Sequence, residues 1–272
     1  MNSKIEILGP DKYIAPLEQA NEGQIAFTHA ASVKWIDGRS YRFFVKLFPK
    51  SADKGLINEI TGYLTANSCN LPQPEKVAII LVPKRILAKE DLDHFNLHQN
   101  NYIIGWASVD SGPTPKTLLS MDKIIEFEES LSSLKNWKYF SEMLAFDDWV
   151  ANQDRNLGNM TISGKNEFKL IDHGNSPISE KWTKEDLLSN QHYQNKMLEH
   201  FFPKNTPKST ASEIVKSTDS HPQNFESVIF DLNRWYGEFL DHDSKTKLLE
   251  FLKSRAHDGN IRMGSKTGLL VA

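Results

Sequence analysis

The sequence predicts an α+β protein of two lobes: a β-rich N-terminal lobe over residues 1–105 and a mostly helical C-terminal lobe over 106–272. Three features point there. Short aromatic and β-branched runs bounded by turn residues crowd the first hundred positions. Apolar residues then recur at helical spacing through most of the remaining chain. Between the two patterns lies "GWASVDSGPTP" (105–115), where Gly and Pro interrupt both periods.

In chain order, "GQIAFTH" (23–29) and "SVKWI" (32–36) are predicted as two short strands, with "THAAS" (28–32) at the turn between them. Asp37-Gly38 marks a hairpin turn, and "YRFFVKLF" (41–48) is the strongest strand because it is aromatic and apolar almost throughout. Residues 54–66 are predicted helical, with Leu56, Ile60, Tyr63 and Leu64 on one stripe. Pro72 and Pro74 break the chain before two further strands, "KVAIILV" (76–82) and "NYIIGW" (101–106); "EDLDHFNLHQN" reads as a solvated connector between them. Helical periodicity resumes over 119–135 and 137–151, and "EFKLID" (167–172) is a short strand after the "SGKN" turn. The stretch 202–224, rich in Pro, Lys, Ser, Thr and Asn, reads as a long loop. Phe225, Val228, Ile229, Leu232, Trp235, Tyr236 and Phe239 mark one late amphipathic helix, and Leu248, Leu249 and Leu252 another.

Composition narrows the function. The net charge of −3 lacks the basic excess of nucleic-acid binders, so no direct nucleic-acid contact is expected. No apolar run reaches the ~18 residues a membrane helix needs, and "MNSKIEILGP" has no apolar secretory core. Cys69 is the single cysteine, so neither an internal disulfide nor a cysteine-based metal site is expected. These features predict a cytoplasmic protein with no membrane association. The histidines form no H-E-x-x-H pair, and G-x-S-x-G is absent, which argues against metal and serine hydrolases.

Four polar features remain. Lys46 shares a strand face with Phe44 and Phe48, and reads as either an edge-strand charge or an amine needing an anionic partner. Glu59 flanks the stripe of the next helix. In "FDDWVANQDRNLGNM" (146–160), Asp154 precedes Asn159 by five positions. In "LIDHG" (170–174), Asp172 ends an apolar strand and Gly174 permits a sharp turn. Singly, each is ordinary. Together, their order matches phosphoryl transfer: a Lys–Glu pair for phosphate, an Asp base with a metal-binding Asn five residues on, and a strand-end Asp for Mg²⁺.

"ANQDRNLGNM" followed by "FKLIDHGNSP" resembles the HipA-like kinases, especially their short stand-alone branch, whose pattern is N-x-D-R-H-x-x-N and then L-x-x-I-D-H-G. "FFVKLF", "NEITGYL" before "LPQP", and the late "FLKSR" sit where that family has counterparts. The resemblance implies a protein-kinase-like fold and transfer of the γ-phosphoryl of Mg-ATP to a hydroxyl, of protein Ser or Thr, including self-phosphorylation. It also implies an antitoxin or other regulatory partner. On it, Lys46 with Glu59 contacts the α/β-phosphates, Asn159 and Asp172 hold Mg²⁺, and Asp154 deprotonates the acceptor. Arg155 either neutralises phosphate or holds the loop, and Asn152 pins the loop. Backbone groups near Ile104–Trp106 meet the adenine. Ser176, Ser179 and Thr183 are acceptor candidates.

There are departures. Asn156 stands where the family has His, and no glycine-rich loop precedes Lys46. The small residues Ala30, Ala31 and Ser32 are the candidates to bring backbone N–H groups to phosphate instead. The same residues also fit a non-catalytic nucleotide-binding scaffold, a small-molecule or lipid kinase, or an AMP transferase.

Overall fold

A computed structural model describes residues 5–19, 27–87, 89–99 and 101–269. The fold is α+β, and the chain divides into two compact units.

The first unit comprises Met1–Leu56 and Pro74–Ser111. Its strands are β1 (Glu6–Leu8), β2 (Tyr13–Gln19), β3 (Phe27–Lys34), β4 (Ser40–Leu47), β5 (Val77–Pro83), β6 (Leu97–His98) and β7 (Tyr102–Val109). They form one sheet in the order β1-β5-β7-β4-β3-β2, with the short β6 added to β7. Among the described residues, only the β1–β5 pairing is parallel. The β3–β4 hairpin turns at Asp37-Gly38 as expected. Gly38 takes a φ of +82°, which glycine adopts without strain, and the Asp37 carboxylate accepts from the Arg39 N–H (2.9 Å) and the Tyr41 hydroxyl (2.7 Å).

Two expectations fail on β3. Residues 23–26 of the first expected strand lie outside the described residues. The rest of it is continuous with the second strand, because Phe27–Lys34 contains no Gly, Pro, Asn or Asp to interrupt the extended chain. Ala30, Ala31 and Ser32 therefore occupy no turn. They pair with Phe44, Phe43 and Arg42 on one side and with β2 on the other. A strand flanked on both sides spends its backbone groups on the ladder, so these residues present no phosphate-binding loop. Gly105 and Trp106 likewise stand inside the sheet between β5 and β4, whereas Ile104 pairs with Leu81 on one side only, one residue beyond the end of the β4 ladder.

Alternation along β4 buries Phe43, Val45 and Leu47 in a core with Val33, Ile80, Val82 and Ile103, where Trp35 stacks on Phe43. Lys46 points to the opposite face, level with Thr28 and Trp106. β4 is an interior strand, which removes the reading of Lys46 as an edge charge.

The second unit comprises Ile57–Gln73 and Gly112–Ala272; α1 (Gly55–Ser68) begins in the first unit and runs into the second. Its other elements are α2 (Pro115–Ser120), α3 (Ile124–Lys135), α4 (Phe140–Trp149), the hairpin β8 (Met160–Gly164) and β9 (Glu167–Leu170), α5 (Lys196–Phe201), α6 (Lys208–Ser217), α7 (His221–Phe239), α8 (His242–His257) and α9 (Gly259–Thr267). The helix expected over 119–135 is two helices, separated at Asp122, whose φ of +56° leaves the right-handed region. The expected loop 202–224 contains α6. Its Lys and Ser residues form a solvated face, while Ala211 and Ile214 supply a narrow buried one, too sparse for composition to show. No helix among the described residues is long and apolar enough to cross a membrane.

Candidate active site

The loop after α4 is built from inside the helix. Eight of the ten residues of α4 are buried, among them Asp147. An acid so placed needs partners, and the loop supplies them. Asn152 Nδ2 donates to Asp147 Oδ1 (3.0 Å), the Asn152 N–H to the Asp147 carbonyl (2.8 Å), and Arg155 Nε to both carboxylate oxygens (3.2 Å each). Burial pushes the Asp147 carboxyl up to about 6, against the pull of Arg155.

Arg155 then reaches across the hairpin. Its Nη1 donates to the carbonyls of Asn159 (2.9 Å) and Ile171 (2.7 Å), and its Nη2 faces His173 Nδ1 at 3.2 Å. Guanidinium only donates, so Nδ1 accepts. The His173 proton then sits on Nε2, which is 3.2 Å from Gln73 Oε1. Of the two roles open to Arg155, the structure assigns the structural one: with its side chain fully buried, it ties α4 to the loop and to the turn after β9.

This tie sets where Asn159 and Asp172 stand. Met160 pairs with Leu170 at the end of the β8–β9 ladder, and the Ile171 N–H donates to the Asn159 carbonyl (3.1 Å), so Asn159 and Asp172 emerge at the same end of the hairpin. Asp172 adopts a φ of +58°, a left-handed conformation that Asp tolerates better than most residues. Asn159 is 7% exposed, and its side chain makes no hydrogen bond among the described residues.

Helix α1 braces the same turn. Glu59 Oε2 accepts from the His173 N–H (3.0 Å), and Asn58 Nδ2 donates to the carbonyls of Gly174 (2.7 Å) and Ser179 (2.8 Å). Glu59 Oε1 and Asp172 Oδ1 lie 3.6 and 3.5 Å from the point where a side chain would begin on Gly174, so the two carboxylates border one space. An approach of two acids suits a hard divalent cation.

Asp154 is more open. Its Oδ1 accepts from Lys196 Nζ (2.7 Å), its Oδ2 from Asn175 Nδ2 (3.4 Å), and its N–H donates to Asn152 Oδ1 (3.0 Å). Asn156 shapes the loop by donating to the Asp154 carbonyl (2.8 Å) and accepting from the Gly158 N–H (2.8 Å). Of the acceptor candidates, Ser176 is fully buried and out of reach, a correction; Ser179 is half-buried and Thr183 exposed. The sequence reading missed Asp147, Asn175 and Lys196. An acid pair inside the apolar "FDDWV" was a visible signal for Asp147. Lys196 lies 42 positions from Asp154, and nothing local marks it.

An α+β fold in which a D-x-x-x-x-N loop and a strand-end Asp-His-Gly turn emerge side by side is that of a kinase-like protein. A family model described as HipA-like kinase matches residues 34–245, and the chain belongs to that family. No curated protein matches it.

Proposed function

We propose that the protein transfers the γ-phosphoryl group of Mg-ATP to a hydroxyl of a protein substrate. The observation that carries this reading is the Arg155 tie, which joins Asn159, at the end of the loop that holds Asp154, to the turn after β9 that holds Asp172. The Asn159 amide oxygen and the Asp172 carboxylate are the hard oxygen donors that hold Mg²⁺. When bound, the ion neutralises charge on the transferred group. Asp154 accepts the proton of the attacking hydroxyl, held in place by Asn175 and Lys196. Lys46 is assigned to the nucleotide phosphates, as an amine on the non-core face of an interior strand. Glu59 orients the turn bearing Asp172 through the His173 N–H. Ser179 and Thr183 are the self-phosphorylation candidates, and control by an antitoxin or other regulatory partner belongs to the same proposal.

The test is transfer from γ-labelled ATP by purified protein with Mg²⁺. Asp154→Asn is expected to lower the rate by about 10²–10⁴, and Asp172→Asn at least as much. ATP binding without transfer by the parent protein would establish the scaffold reading instead. Label appearing only on small molecules or lipids would overturn the protein acceptor. Transfer of an α-label would indicate AMP transfer.

A further inference from the structure

We propose that Cys69, Glu142 and His221 form a binding site for one divalent transition-metal ion of the zinc class. Cys69 follows the last turn of α1, Glu142 lies in the first turn of α4, and His221 opens α7. One ligand atom from each lies within 4.8 Å of the other two. Thiolate, imidazole and carboxylate are the donors zinc takes, and three protein ligands with an open fourth position is a familiar zinc arrangement. His221 Nε2 and Glu142 Oε1 are 3.4 Å apart, near the roughly 3.5 Å between two ligands on a zinc tetrahedron. A lone cysteine gave no ground for a metal site in the sequence, since no second thiol exists; the fold supplies the other two donors.

The second observation is the state of these groups. His221 has no solvent exposure, yet neither ring nitrogen has a hydrogen-bond partner among the described residues, and the same is true of Glu142 Oε1. Buried polar atoms are almost always satisfied; here Glu142 Oε1 and one ring nitrogen of His221, neither with a hydrogen bond, meet beside a thiol, a donor set that suits a cation. The imidazole is held by stacking on Trp149, with ring centroids 4.8 Å apart. Asn224 Nδ2 donates toward Cys69 Sγ at 3.4 Å, the contact that favours a thiolate. Cys69 and Glu142 also line a cavity of about 960 Å³, whose wall includes Lys135, Lys138 and Lys216. A fourth ligand reached from that partly basic space would be water or a small anion.

On binding, the Cys69 S–H bond breaks, the proton leaves to solvent, and the sulfur lone pair goes to the metal. The ion would join α1, which carries Glu59, to α4, which carries Asp147.

The test is anaerobic titration of the full chain with Co²⁺, then displacement with Zn²⁺. The expected result is one equivalent per chain, with a thiolate-to-cobalt charge-transfer band in the near ultraviolet and the intense visible bands of four-coordinate cobalt. Cys69→Ser removes the charge-transfer band. Glu142→Gln and His221→Gln each weaken binding by roughly 100-fold or more, above the range for outer-shell partners. Circular dichroism checks that each variant folds, and the parent spectrum decides the matter even if one does not. Folded parent protein showing no charge-transfer band overturns the site. So does a band that persists at unchanged affinity in folded Glu142→Gln and His221→Gln, which would mean binding by the thiol alone.

Discussion

Arg155 and Asp147 form an ion pair with no solvent exposure on either side chain, and the same guanidinium holds the carbonyls of Asn159 and Ile171. The pair does more than bridge two charges, because the planar fork of Arg reaches three chain segments at once. Arg155→Lys keeps the charge but loses the fork. We expect a stability loss of about 2–4 kcal/mol by urea denaturation, and phosphoryl transfer reduced even in the folded fraction.

Gly62 on α1 faces His173 directly. A β-carbon there would lie 2.2 Å from His173 Cβ and 2.4 Å from Cγ, a separation real atoms do not reach. Gly62→Ala improves helix propensity, yet must push away the turn that holds Asp172. A net destabilisation of about 1–3 kcal/mol is expected from overpacking. Mg²⁺-dependent transfer should fall further than the melting shift explains. A variant as stable and active as the parent would show that the turn has slack.

Much of this arrangement was legible in the sequence, and the unread parts share a cause. The strand bearing Lys46, the helix bearing Glu59, the Asp37-Gly38 turn and the late helices each carry a local signal: period, breaker or turn residue. The fused strand β3 was misread because alanines and a serine between apolar runs look like a turn, although nothing in Phe27–Lys34 forces one. α6 was missed because its buried face is only two residues wide. The loop partners of Asp154 come from positions 175 and 196, where contact depends on how the chain packs and leaves no periodic trace.

His29, in β3, supplies a pH-dependent contribution to stability. It is 1% exposed, and burial lowers its pKa from 6.5 to about 4; its Nε2 lies 2.8 Å from the Tyr13 hydroxyl. Burial raises the Tyr13 hydroxyl to about 12, despite Arg85, so it keeps its proton and donates to the neutral ring. Between about 6.5 and about 4 the unfolded chain binds the proton and the folded one does not, so stability falls as pH drops through that window and is flat above it. The contribution is about 2 kcal/mol after allowance for partial solvation. His29→Gln, which keeps an acceptor for Tyr13, should remove that slope from denaturation midpoints measured across the window.

Asp148 lies beside Asp147 in sequence but serves a different network. Its carboxylate meets Arg262 Nε (2.9 Å), Lys266 Nζ (2.7 Å) and Arg255 Nη2 (3.4 Å), joining α4 to α8 and α9. Burial alone would raise its pKa, but Arg255, Lys266 and Arg262 outweigh that and hold it below the usual carboxylate range. A depressed acid contributes stability above its unfolded pKa and loses it as pH falls through the folded value. Asp148→Asn keeps the shape and leaves three cations facing one another with no anion between them. The expected cost near neutral pH is about 3–5 kcal/mol, shrinking in acid as the parent carboxylate itself becomes protonated. Urea denaturation of parent and variant, from neutral pH down through the carboxylate range, reads this directly. Two curves that stay parallel to the acid end would mean that Asp148 contributes packing and hydrogen bonds but no charge.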